Sequence, residues 1–278
     1  MTTNNTLPPP KGKHFEIVCN HVVYNRTSFR TFLPKDSVYI GIIREPYAFF
    51  VSSINYMRPG YIFNRIKVPA PGSTFLKDPS KYEPALASRS FTNNRMAFEF
   101  GCPEEVIKSK DPQGISKFIE DVDSDFKLVI ISEMFQESIM LMKRLLKWSV
   151  KDVLYLDKNI SARKNSSHLV GPYDRQIYKR WATIDYALYD HFYKRLRDQI
   201  RREGQDFDNE LLHYGELRKM TSEFCSVSAK NKDAVLEVNS SLWDDAFNVT
   251  RQDCQQMMSN EIPFVQEIRL RQYGSKDI

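Results

Sequence analysis

Glycine is scarce, at 10 of 278 residues, which disfavours a hairpin-rich all-β protein built on tight turns. No run of 18 apolar residues occurs, so no segment reads as a membrane span. Residues 1–13 are polar and carry Pro8, Pro9 and Pro10. They lack the apolar stretch of a signal peptide and read as a disordered tail. There is no CxxC and no Cys/His cluster at metal-ligand spacing, so no metal is expected. No G-x-x-x-x-G-K-[ST] occurs, which argues against a nucleotide kinase of the P-loop class. The net charge of +5 permits an anionic ligand. No basic stripe is concentrated enough to expect a nucleic-acid partner. At face value these absences describe a soluble cytosolic chain.

What is present pulls elsewhere. Hydrophobic residues at 41% and charged residues at 27% are ordinary for a globular protein, and 278 residues suffice for one large domain or two small ones. Asn4, Asn25, Asn159, Asn165, Asn239 and Asn248 each begin an N-x-[ST] sequon. With 15 Asn and 34 Ser or Thr, chance gives about 2 such sites. The excess favours a glycosylating lumen over the cytosol. Four cysteines, Cys19, Cys102, Cys225 and Cys254, permit two disulfides in three pairings, or four reduced thiols.

Apolar runs at Phe15–His21, Val38–Ile43, Leu128–Ser132 and Val153–Leu156 read as strands. The second has the continuous character of a strand buried on both faces. Helical patterns lie between them, at Tyr47–Met57, near Phe91–Phe100, from Asp111-Pro112 to about Val122, and over Glu137–Trp148. The alternation predicts an α/β fold with a mostly parallel central sheet flanked by helices. Residues 58–90 hold five prolines and two glycines and read as a long surface insertion that shapes a substrate site. A long helix is expected from Pro172, with Ile177, Trp181, Ile184, Leu188, Phe192 and Leu196 on one face, and another from Asp208 to about Phe224. Beyond Ser226 the pattern weakens to one short helix near Thr250–Met258. The domain reading is a tail at 1–13, a main domain at 14–225 and an extension at 226–278.

In open parallel sheets ligands gather at the carboxyl ends of strands. The polar residues there are His21, Arg44, Ser132 with Glu133, and Asp157. Ile43-Arg44-Glu45-Pro46 with Ser52 eight residues after the arginine is the sharpest constellation. Arg44 precedes a helix start, where free N–H groups favour an anion, and Ser52 lies about two turns on. An Arg–Ser clamp on a phosphate and an Arg44–Glu45 ion pair capping a helix both suit this pattern.

The motif resembles the 3′-phosphate-binding motif of sulfotransferases that use PAPS (3′-phosphoadenylyl sulfate), the activated sulfate donor. Phe15–His21, Ser132–Ser138 with Leu145-Leu146-Lys147-Trp148, and Asp152–Tyr155 resemble the Golgi galactose-3-O-sulfotransferase family. The resemblance covers roughly residues 14–215. It implies a P-loop-like sulfotransferase fold, with Arg44 and Ser52 on the 3′-phosphate and His21 as general base for the attacking sugar hydroxyl. Without it, His21 reads as a polar residue satisfied at a strand end. The acceptor implied is a galactose-terminated glycolipid, such as galactosylceramide, or glycan. The location implied is the Golgi lumen, with membrane attachment expected only in a full-length form. Asn25, Asn159, Asn165, Asn239 and Asn248 are then glycosylation sites. His14, His168, His191 and His213 read as structural, Arg163-Lys164 as a solvated loop, and Arg195, Arg197, Arg201 and Arg202 as the polar face of a helix.

The family's loop for the 5′-phosphosulfate precedes the His21 strand, and residues 1–13 offer no counterpart. The expectation is a chain that lacks the first strand and that loop, and binds PAPS weakly. A non-catalytic form that keeps only acceptor binding is the alternative function.

Overall fold

The computed structural model describes residues 8–19, 22–158, 169–227 and 233–274. Among them, α1 (Arg26–Phe32), β1 (Tyr39–Ile43), α2 (Pro46–Tyr56), α3 (Gly60–Phe63), α4 (Pro71–Lys77), α5 (Arg95–Glu99), α6 (Glu104–Ser109) and α7 (Pro112–Asp125) precede β2 (Phe126–Ile131). Then follow α8 (Phe135–Leu146), α9 (Asp174–Trp181), α10 (Thr183–Glu203), α11 (Gln205–Val227), β3 (Val235–Val238), β4 (Phe247–Thr250), α12 (Arg251–Met258) and α13 (Glu261–Tyr273). The fold is α/β and mostly helical. Its described residues divide into two compact units. Residues 8–9, 13–19, 22–135 and 169–198 form the first, and residues 10–12, 136–158, 199–227 and 233–274 form the second.

The first unit is organised on β1 and β2, a parallel pair in register from Ile40 opposite Leu128 to Ile43 opposite Ile131. β-branched apolar residues suit the pleated surface, and β2 is buried except at Lys127. Gly41 is required by close approach, since a Cβ there would meet the Phe100 ring at 2.4 Å. β1 is not buried on both faces as its composition predicts: Ile42 is 54% exposed. The two other expected strands are absent from the described residues. Phe15–Cys19 carries no ladder. Lys151–Val153 is a 3₁₀ turn in the second unit. There the Val150 N–H donates to the Asp244 carboxylate and the Val153 carbonyl accepts the Tyr214 hydroxyl at 2.7 Å. Side chains thus satisfy backbone groups that a sheet would have used. Among the described residues the expected multi-stranded parallel sheet reduces to one parallel pair.

Residues 58–90 are a further correction. They supply α3, α4 and two 3₁₀ turns, and Ile62, Phe75 and Leu76 enter the same buried cluster as Phe50, Ile54 and Tyr178. Stacking of Phe50 on Tyr178 at 4.4 Å centres that cluster. Three of the five prolines read as loop markers instead stand at the starts of these short elements: Pro59 at a cap, Pro71 and Pro79 in first turns.

The expected long helix from Pro172 is two helices that break at Ala182. The cause is a reciprocal cap. Asn94, itself at the start of α5 with φ of 49°, accepts the N–H groups of Ile184 and Asp185 at 2.9 and 3.0 Å. Asp185 accepts the N–H groups of Ala97 and Met96 at 2.8 and 3.4 Å. Each side chain satisfies the first turn of the other's helix, and both are fully buried. Arg195 is no solvated face residue. It donates to Asp123 and to the carbonyls of Phe126 and Lys127, holding the α7–β2 junction.

The second unit centres on a buried ion network. Lys143 lies 2.8 Å from Glu210 and 3.0 Å from Asp244, all nearly solvent-free. Arg144 binds Glu203, Asp206 and Glu210. β3 and β4, missed in the sequence because each is four residues long and half exposed, form an antiparallel hairpin. Thr250 and Asp253 make a capping box that starts α12. Cys225 and Cys254 form a disulfide joining α11 to α12. Cys19 is free and exposed. Cys102 is free and buried, and burial pushes its thiol up to about 12. No described helix is long and apolar enough to cross a membrane.

Two predictions follow from the reciprocal cap. Asn94→Ala strands two buried N–H groups and is expected to destabilise the fold by roughly 2–5 kcal/mol in urea unfolding. The second concerns Asp185, whose carboxyl burial raises from 3.8 to about 7 against the pull of its two N–H bonds. The folded state then holds more protons than the unfolded state between these values, so stability falls as pH rises through that window. Asp185→Asn keeps the bond from Ala97 but cannot ionise. Its urea midpoint should fall less than the wild type's between pH 4.5 and 7.5, and equal slopes would refute the assignment.

Candidate active site

At the carboxyl ends of β1 and β2 the Ser132 hydroxyl donates to the Ile43 carbonyl at 3.1 Å, tying the two strand exits together. Arg44 leaves β1 exposed, its backbone N–H on the Met96 sulfur and its Nε 3.9 Å from the Glu133 carboxylate. That pair is about half exposed and contributes under about 1 kcal/mol, so the guanidinium stays available to a ligand. Glu133 also accepts the Glu45 N–H at 3.0 Å and the Tyr189 hydroxyl at 3.4 Å.

Glu45 changes the expected chemistry. Its carboxylate caps α2, accepting the Ala48 N–H at 2.7 Å, and it also receives Arg175 at 2.8 Å and the Tyr186 hydroxyl at 3.2 Å. Pro46 has no N–H to offer. The helix start expected to greet an anion is therefore filled by the chain's own carboxylate. The partner of Arg44 is Glu133, not Glu45. Burial, reinforced by these carboxylates, holds the Tyr186 and Tyr189 hydroxyls well above their ordinary range, so both remain donors at neutral pH.

What stays open to an anion is the exposed flank of α2. Ser52 is exposed there, while its neighbour Ser53 is buried. Ser52 stands about 9 Å along the helix axis from Pro46. Tyr56, one turn further, is 85% exposed. Arg175 was not legible in the sequence: it reaches the site from α9, far along the chain, without a local motif.

The remaining candidates fall elsewhere. His21, Arg163, Lys164, His168, Asn159 and Asn165 lie outside the described residues. His191 pairs with Asp123 at 2.8 Å, and the His213 ring packs on Trp243. Asp157, with no strand before it, binds Arg218 at 2.7 Å in the second unit. Asn25 is exposed, but its side-chain oxygen caps α1 by accepting the Ser28 N–H. Asn239 and Asn248 are exposed.

The family model for galactose-3-O-sulfotransferase matches residues 7–268. The chain belongs to the galactose-3-O-sulfotransferase family. This family member is 32% identical to galactose-3-O-sulfotransferase 2 of Mus musculus over 68% of its own length and 48% of the relative's. It is 32% identical to human galactosylceramide sulfotransferase over 65% of its length and 43% of that protein's. A match to galactose-3-O-sulfotransferase 2 of Sus scrofa is 25% identical and covers 95% of this chain and 70% of the relative. The chain thus spans about half the length of the first two of these relatives. No solved structure matches it.

Glu45 is expected to matter to this sulfotransferase-family chain as a cap before it matters to any ligand. Glu45→Ala should cost about 1–2 kcal/mol in urea unfolding. Glu45→Gln, which keeps an acceptor for the Ala48 N–H, should cost less than half as much.

Proposed function

We propose that the protein transfers sulfate from PAPS to the 3-hydroxyl of a galactose on a glycolipid or glycan. The observation that carries this is that Arg44, at the exit of β1, and Ser52, on α2, are both exposed, in a chain matched by the family model over residues 7–268. The guanidinium supplies a charged fork and the serine a neutral donor, the set that the 3′-phosphate of the donor needs. The fit is to that phosphate alone. The start of α2, filled by Glu45, does not fit a second anion.

His21 takes the proton of the attacking sugar hydroxyl in this reading, as a histidine can near neutral pH. The P-loop-like sulfotransferase fold, lacking its first strand and the 5′-phosphosulfate loop, is part of the same proposal. So is the Golgi lumen. The Cys225–Cys254 disulfide and the exposed sequons Asn239 and Asn248 support an oxidising, glycosylating compartment. Both relatives' names concern galactose-bearing acceptors, which supports the acceptor class.

The occupied helix start favours one second reading, a non-catalytic member that keeps acceptor binding. A transfer assay with labelled PAPS separates the two: turnover that disappears in His21→Ala supports the enzyme. Arg44→Ala should weaken binding of adenosine 3′,5′-bisphosphate about 10- to 100-fold, the scale of a charged hydrogen bond, and Ser52→Ala about 2- to 10-fold. Unchanged binding in both variants would sink the donor assignment.

A further inference from the structure

A cleft of about 570 Å³ opens in the second unit, lined by residues from two turns and unrelated to the motif just described. One wall follows α8. Lys147 adopts φ of 55°, Trp148 is 38% exposed, and Ser149 is held by the Asp152 carboxylate. The other wall is the turn before β4. Ser241 accepts the N–H groups of Trp243 and Asp244, and Asp244 is anchored below by Lys143 and by the Val150 N–H. The Trp243 indole donates to Asp206, which fixes its ring. Both walls are therefore preorganised, and the buried ion network forms their footing.

Three features define the occupant. The lining is aromatic, through Trp148, Trp243 and Phe247, yet carries serine hydroxyls and charged groups. Leu242 stands at the cleft 91% exposed, an apolar side chain left in water. The charges balance. Lys151 is paired with Asp253 and Asp244 with Lys143, which leaves Lys147 and Asp245, one of each sign, without partners among the described residues. A cleft of this size takes a ligand of a few rings. Aromatic faces with mixed donors and acceptors and no net charge fit a neutral, polyhydroxylated molecule rather than a nucleotide or an acidic one.

We propose that this cleft binds a neutral saccharide, with Trp148 as its stacking platform and Asp245 and Lys147 as hydrogen-bonding groups. The hairpin supports an open site. Asn248 projects from the face of β4 opposite Phe247 and Val249, and it shares that exposed face with Glu237. A glycan on Asn248 leaves the Phe247 side clear. The site does not rest on the donor assignment, since every lining residue belongs to the second unit.

The test is titration of the full chain with maltose, a neutral saccharide without galactose, followed by tryptophan fluorescence and calorimetry. Two of the three tryptophans line the cleft, so the signal reports on it directly. A Kd on the order of 1 mM is expected. Trp148→Ala and Asp245→Ala should each weaken it at least about 5-fold, with far-UV circular dichroism unchanged, while Arg44→Ala leaves it as it was. Absence of saturable binding overturns the proposal. So does binding that survives both cleft variants, or that is lost in Arg44→Ala. Failure of nucleotide binding in the donor test leaves this outcome untouched.

Discussion

Asn94 and Asp185 sit in the dry interior of the first unit and exchange hydrogen bonds with the backbone of each other's helix. A polar side chain buried this deeply is tolerated only when its partners are in place, and here the partners are N–H groups that would themselves be orphaned. The exchange breaks the α9–α10 stretch at Ala182 and sets the direction of α10. From α10 come Tyr186 and Tyr189, which reach Glu45 and Glu133, and Arg195, which holds the start of β2. The geometry around Arg44 thus descends from a contact that carries no chemistry of its own.

At the strand exits, charges are arranged by competition. Glu45 is shared among a helix cap, a guanidinium and a phenol, while Glu133 is shared among a backbone N–H, a phenol and the edge of Arg44. The result is asymmetric. Arg175 is committed, and Arg44 is held only loosely and faces solvent. A loosely held, exposed arginine is one that an incoming phosphate can recruit while displacing little.

The parts legible in the sequence are those with local signals. The apolar runs of β1 and β2, Pro46 in the first turn of α2, and Asp111 capping α7 were all readable within a few residues. Prolines between 58 and 90 were misread because Pro marks both loops and helix starts, and only packing distinguishes the two. Val153–Leu156 has strand composition but lost its ladder to Tyr214, some sixty residues on. Arg175 and the Asn94–Asp185 exchange depend on contacts about ninety or more positions apart, which no window of sequence contains.

The bond between Cys225 and Cys254 closes a loop of 29 residues. That loop includes the hairpin and the whole turn from Ser241 to Ala246. Closure removes freedom from the unfolded chain worth about 3–4 kcal/mol. A copy of the protein made where thiols stay reduced forgoes that restraint, and the wall from Ser241 to Phe247 then relies on its own hydrogen bonds, the hairpin ladder and the Asp244–Lys143 ion pair.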